Sequence, residues 1–129
     1  DYLAKHRAVT KVIFPTMHAD KEQNRRAEAY LKGGFGGMVG FEIKGGREAG
    51  RAFIDALKMA YHVANIGDAR TLAIHPASTT HSQLSAEERL KTGVSDNFVR
   101  LSVGIEHIDD ILADIGQALD VAVRMNLAA

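Results

Sequence analysis

Arg100 is the residue whose chemistry and position most directly suggest a binding site in this sequence. It lies in the apolar segment 98–103, and alternation along a strand places it on the face opposite Val99 and Leu101. A guanidinium in so apolar a strand must reach water, a buried acid or an anionic ligand. Its planar fork can bind a carboxylate through two hydrogen bonds, so a substrate carboxylate is a natural partner. The pattern alone leaves these alternatives open and favours an arginine that faces solvent or is salt-bridged.

Histidines and hydroxyls follow the segment Leu72–Ile74 and could suggest a metal site or a nucleophile. His75 and His81 lie six residues apart and the chain has no cysteine, so the spacing of a helical metal-binding pair is missing and no metal site is expected. Ser78 or Thr79 would need an orienting acid and an oxyanion hole to act as a nucleophile, and the sequence reveals neither. Hydroxyls after a proline that ends a strand more often bind loop backbone, and we favour that interpretation.

The glycine-rich segment 33–40 does not form a dinucleotide-binding fingerprint. Val39 stands where the third glycine of that motif belongs. The motif also follows a strand and opens a helix, whereas this segment precedes a predicted strand. We interpret it as a tight, close-packed entry to that strand.

Glycine and proline residues divide the chain into alternating strands and helices. The predicted strands are Val9–Phe14, Met38–Lys44, Leu72–Ile74 and Phe98–Val103. The predicted helices are 18–31, 47–62, 85–92, which opens on the capping box Ser85 to Glu88, and a final helix that includes 108–119. This order predicts an α/β fold: a small open four-stranded sheet with helices packed on one face.

Composition excludes several classes of function. The 129 residues suffice for one domain with a core of its own. Lys and Arg number 16, as do Asp and Glu, so no net field would attract nucleic acid or an anionic membrane. No apolar run approaches the roughly 18 residues of a membrane span. We therefore expect neither a nucleic-acid nor a membrane partner, and the absence of cysteine suits a reducing, cytoplasmic location.

Several segments together resemble the trans-sulfuration, or Cys/Met metabolism, family of pyridoxal 5'-phosphate (PLP) enzymes. They are Gly34–Glu42, His62–Leu72, His75–His81 and Val99–Glu106, in the family's order. The resemblance implies the small C-terminal domain of a fold-type-I PLP enzyme, with residues 1–8 as the end of an inter-domain helix and 9–129 as the domain.

The resemblance also implies that the cofactor is bound elsewhere. In the family, PLP is held by a lysine in a Ser/Thr-rich stretch of the large domain, and none of the lysines in this sequence has that context. We therefore expect no catalytic or cofactor-binding residue in this chain, which alone would be inactive. Its implied partners are an amino-acid substrate and its own N-terminal PLP domain, in a homotetramer.

The family's substrate-binding residues carry over to three positions. The carboxylate-binding arginine matches Arg100, a second contact to the carboxylate matches Asn65, and Thr80 matches a residue at the same end of the pocket. Many lyases of the family have serine at the position of Asn65, and the asparagine is similar to the O-acetylhomoserine sulfhydrylase branch. The implied reaction is PLP-dependent replacement of the acetate of O-acetyl-L-homoserine by sulfide or a thiol. The alternatives are a methionine or cystathionine γ-lyase, a cystathionine γ-synthase, or a free-standing small α/β binding module.

Overall fold

The structure, a computed structural model, describes residues 1–127 and confirms the predicted α/β class. Its strands are β1 (Val9–Ile13), β2 (Met38–Ile43), β3 (Tyr61–His62), β4 (Leu72–Ile74) and β5 (Phe98–Ser102). Its helices are α1 (Tyr2–Lys5), α2 (Lys21–Tyr30), α3 (Gly46–Ala56), α4 (Ala86–Lys91) and α5 (Ile108–Leu127), with a short 3-10 helix at Pro76–Ser78. Helix α1 is a single turn, and the role of residues 1–8 in an inter-domain helix stays a prediction.

Strand β5 lies at the centre of one open sheet with the order β1-β2-β5-β4-β3. Neighbouring strands are antiparallel, except that β3 runs parallel to β4. Arg100 of β5 is paired with Gly40 of β2 on one side and Ile74 of β4 on the other. Two hydrogen-bonded ladders therefore fix the backbone from which the guanidinium extends.

The core forms where one face of the sheet packs against α3 and α5. Val99 and Leu101, which point to this face, are 0% and 1% exposed. Phe41 of β2 meets Phe53 of α3 edge to face, with ring centroids 5.5 Å apart. Helix α2 contributes no buried residue. The prediction of helices on one face is confirmed for α3 and α5, and Arg100 points away from them.

The sheet has five strands, where the sequence predicted four. The predicted helix 47–62 ends at Ala56, because the next turn is held in a non-helical path by Asp114 of α5. The Asp114 carboxylate accepts hydrogen bonds from the backbone N–H groups of Lys58, Met59 and Ala60, at 2.8, 3.0 and 2.9 Å. The chain that follows is then extended and pairs with β4 as β3. An expected helical turn is thereby replaced by an edge strand.

Local capping signals fix the ends of the shorter helices. The predicted capping box of α4 is confirmed: the Ser85 hydroxyl accepts the Glu88 N–H, and the Glu88 carboxylate accepts the Ser85 N–H at 2.8 Å. Helix α2 begins later than predicted, because Asp20 is its N-cap and accepts the N–H of Glu22 at 2.9 Å. Within residues 1–127, no helix combines the length and apolar character that crossing a membrane requires.

Candidate functional site

The Arg100 guanidinium is partly buried and has no acid to neutralise it. Its Nη2 donates to the backbone oxygens of Ala64, at 2.5 Å, and Asn65, at 3.3 Å. Its Nε is buried and has no acceptor among the described residues. None of the ion pairs formed within residues 1–127 includes Arg100. The salt-bridged alternative is therefore not what this part of the chain forms, and the guanidinium retains capacity for an anion.

Two cavities meet at this guanidinium. One, of about 560 Å³, is enclosed by Arg100 and the backbone segment 64–68. The other, of about 650 Å³, lies between α2 and the open face of the sheet, with apolar walls that include Phe14, Phe35 and Phe98. A ligand with one anionic end and a less polar body can place its charge on Arg100 from either side.

The segment 64–71, called here the 64–71 loop, is held to β5 and its continuation by polar contacts. The Ser102 hydroxyl accepts the Gly67 N–H at 3.0 Å. The Glu106 carboxylate accepts both the N–H and the hydroxyl of Thr71, each at 2.7 Å. Partial burial raises the pKa of Glu106, but the two Thr71 hydrogen bonds outweigh it and lower that pKa overall. Sequence analysis did not identify these contacts.

The structure brings two of the three predicted site residues together. Asn65 is exposed, gives its backbone oxygen to Arg100 and lines the 560 Å³ cavity. Thr80 is also exposed, and its hydroxyl lies 2.9 Å from Nδ1 of His81. In the described residues Thr80 shares no hydrogen bond or cavity with Arg100. The substrate-binding roles of all three stay predictions.

His75 organises the segment that leads to Thr80. It is 0% exposed, with Nε2 2.8 Å from the Asp96 backbone oxygen and Nδ1 2.9 Å from the Ser78 hydroxyl. A carbonyl can only accept, so Nε2 carries the proton and Nδ1 of the neutral ring accepts from Ser78. The Thr79 hydroxyl binds the His75 backbone oxygen at 2.9 Å. These hydroxyls satisfy the local structure, as the sequence interpretation expected, and Gly50 leaves the space that the ring occupies.

We predict that His75 titrates below the other histidines. Burial lowers its pKa from the ordinary 6.5, opposed by the bond to Asp96 and assisted by Arg47. The unfolded chain takes up a proton at this position before the folded one does, so stability is lost as the pH falls below about 6.5. An NMR titration of the imidazole signals measures this. A midpoint for His75 at or above that of exposed His107 would contradict the assignment.

Solved structures show which class of protein has this arrangement. A putative O-acetylhomoserine (thiol)-lyase from Campylobacter jejuni, solved with N'-pyridoxyl-lysine-5'-monophosphate, superposes with a TM-score of 0.80 at 39% identity over 92% of this chain. A cystathionine γ-synthase from Xanthomonas oryzae, in complex with aminoacrylate and cysteine, gives 0.80 at 38% over 95%. The fold is that of a domain of a fold-type-I PLP enzyme.

Sequence comparison narrows the class to a family. Residues 1–120 match the Cys/Met metabolism PLP-dependent enzymes. An O-acetyl-L-homoserine sulfhydrylase from Leptospira meyeri is 50% identical over 119 residues, which are 92% of this chain and 27% of that protein. The chain belongs to the Cys/Met metabolism family of PLP-dependent enzymes, and it spans 27% of the length of this curated relative.

The described residues do not form a PLP site by themselves. Enzymes that use PLP bind it through a lysine Schiff base and a partner for the pyridinium nitrogen. The lysines of this chain are all exposed, and none lines the two cavities beside Arg100. What these residues offer is a position for an anion, not a position for the cofactor.

Proposed function

We propose that this chain is the C-terminal, substrate-carboxylate-binding domain of an O-acetyl-L-homoserine sulfhydrylase. The full-length enzyme would replace the acetate of O-acetyl-L-homoserine by sulfide or a thiol, giving homocysteine or methionine. The observation that carries the proposal is the guanidinium of Arg100, uncompensated by any acid and bordering a cavity. The 50% identity to a sulfhydrylase supports the choice of substrate.

In this proposal Arg100 fixes one end of the amino acid. Its Nη2 is used by the 64–71 loop, and the remaining N–H groups are available for carboxylate oxygens. The Asn65 amide would donate to the same carboxylate, and Thr80 would line the same end of the pocket. A carboxylate held at this position fixes where Cα lies relative to the reacting centre, so these residues contribute orientation.

Bond breaking at Cγ is assigned to the PLP cofactor, for which the described residues offer no site. The proposal therefore includes an N-terminal domain that carries the Schiff-base lysine and packs against this one. A homotetramer and a cytoplasmic location belong to the same proposal and are supported by the family resemblance and the absence of cysteine.

A second candidate is a γ-synthase or γ-lyase of the same family. The Xanthomonas cystathionine γ-synthase, with a TM-score equal to that of the thiol-lyase, favours keeping it under test. The two candidates differ in what attacks after acetate or another γ-substituent has left: sulfide or a thiol in the first, cysteine or water in the second. Asn65 is the residue of this chain on which the choice between them depends.

We predict that the full-length protein forms homocysteine from O-acetyl-L-homoserine and sulfide faster than it releases α-keto acid from methionine or cystathionine. Asn65→Ser should lower the sulfhydrylase kcat/KM roughly tenfold, because a hydrogen bond to a charged group is lost, and should lower the ratio of sulfhydrylase to lyase activity. Thiol and keto-acid assays on the same preparation measure both. Asn24→Ser, on exposed α2, is the matched control; a parent enzyme more active as a lyase would contradict the proposal.

A further inference from the structure

The 64–71 loop has little apolar packing to hold its shape. Every residue from Ala64 to Arg70 is exposed. A loop without buried side chains depends on hydrogen bonds for its conformation, because no hydrophobic burial compensates for its conformational entropy. The loop nevertheless encloses the cavity beside Arg100, so the shape of that cavity depends on whatever fixes the loop.

Alternate residues of the segment 100–106 supply the contacts that fix it. Arg100 binds the backbone oxygens at the start of the loop, and Ser102 accepts the N–H of Gly67. Gly104 donates its N–H to the Thr71 hydroxyl at 3.0 Å, and a Cβ there would collide with the loop backbone. Glu106 accepts twice from Thr71. Ile105 adds a backbone bond to Ala69 at 2.9 Å.

The contacts are graded along the loop. Arg100 holds its beginning, Ser102 its middle and Glu106 its end, where Thr71 is 0% exposed and continues into β4. Ser102 is itself 4% exposed, so its hydroxyl lies under the loop and not in the cavity. Ser102 and Glu106 are placed to hold backbone and have no access to a ligand of their own.

We propose that Ser102 and Glu106 are positioning residues for the amino-acid substrate: they hold the 64–71 loop so that Arg100 and Asn65 meet one carboxylate. The inference rests on the proposed function, because it requires that the cavity beside Arg100 receives the carboxylate. Neither residue touches substrate. Their effect passes through the loop, so they influence substrate affinity and not the reaction at Cγ.

The first test is Ser102→Ala in the full-length enzyme. Loss of one hydrogen bond should raise KM for O-acetyl-L-homoserine roughly 2- to 12-fold, while kcat and the KM for sulfide stay unchanged. Amide hydrogen exchange in the peptide 63–72 should become faster. Ser95→Ala is the matched control, because the Ser95 hydroxyl bonds to Glu42 and does not touch the loop.

Glu106→Ala is the second variant and protects the test against a folding defect in the first. It removes an ionised acceptor of two hydrogen bonds, so its KM for the amino acid should rise roughly tenfold or more. Glu106→Gln keeps one acceptor oxygen and should recover part of that change. A fall in kcat with unchanged KM in both alanine variants would overturn the inference, because it would mean a smaller active fraction and not a displaced loop.

The double substitution with Arg100 separates this inference from the proposed function. If Ser102 acts through the carboxylate site, Ser102→Ala should lower kcat/KM by less than about twofold when Arg100 is already alanine. Effects that multiply in full would overturn the positioning role while leaving Arg100 as the anchor. Unchanged kcat/KM in Arg100→Ala alone would instead overturn the proposed function.

Discussion

Replacing Arg100 by alanine is expected to weaken the transition-state binding of the amino-acid substrate by about 2–5 kcal/mol in the full-length enzyme. That corresponds to a loss of roughly 30- to 5,000-fold in kcat/KM for O-acetyl-L-homoserine. The substitution removes a charged, bidentate donor from a partly buried position, and no other side chain holds a charge against that part of the cavity except Asp68, which is an acid. Steady-state kinetics over a range of amino-acid concentrations measures the effect.

Two arginine variants sharpen this test. Arg100→Lys keeps the charge, but an ammonium lacks the planar fork that can bind the loop carbonyls and a carboxylate at once, so it should recover only part of the loss. Arg51→Ala removes an exposed arginine of α3 that pairs with Asp55 at 3.8 Å, and it should leave kcat/KM unchanged. An Arg100→Ala enzyme with parental kcat/KM would show that the carboxylate binds elsewhere.

The parts of the fold that sequence analysis predicted correctly are those with local causes. Alternation in 98–103 and the capping box at Ser85 are decided by neighbours a few residues away, and both are confirmed. Strand β3 was missed because its cause is remote. The carboxylate that ends the preceding turn belongs to Asp114, 54 residues beyond Ala60, and no local pattern relates the two.

The candidate site divides in the same way. Alternation identified Arg100 and placed Ser102 on its face, which was the one available signal for the Ser102 contact. The partners could not be found from pattern: Arg100 reaches Ala64 across 36 positions, and Glu106 reaches Thr71 across 35. These contacts follow from the antiparallel pairing of β4 with β5, which brings the ends of the two strands together. The family resemblance supplied Asn65 without indicating that its backbone oxygen, too, is bound.

Replacing Asp114 by alanine is expected to lower the free energy of unfolding by about 3–5 kcal/mol, because it leaves three backbone N–H groups without their acceptor in a site that excludes water. Asp114 is 6% exposed and also accepts from Gln117 at 3.1 Å. Urea denaturation followed by circular dichroism measures the change. Asp114→Asn keeps one oxygen, which can take the place of the oxygen that binds Met59 and Ala60, and should lose less.

The pH dependence of this stabilisation distinguishes a carboxylate acceptor from simple packing. Burial raises the pKa of Asp114, but the backbone N–H groups of Ala60, Lys58 and Met59 outweigh it, so that pKa lies below the ordinary 3.8. The stability it contributes is therefore fully present above 3.8 and is lost as the pH falls through the lower value of the folded state. The difference between parent and Asp114→Asn should be constant around neutral pH and shrink below about pH 4. Asp110→Ala, an exposed acid in the first turn of the same helix, should cost less than about 1 kcal/mol. If Asp114→Ala costs no more than that control, Asp114 does not hold the turn that leads into β3, and the path of the chain into the 64–71 loop must be set by β4 alone.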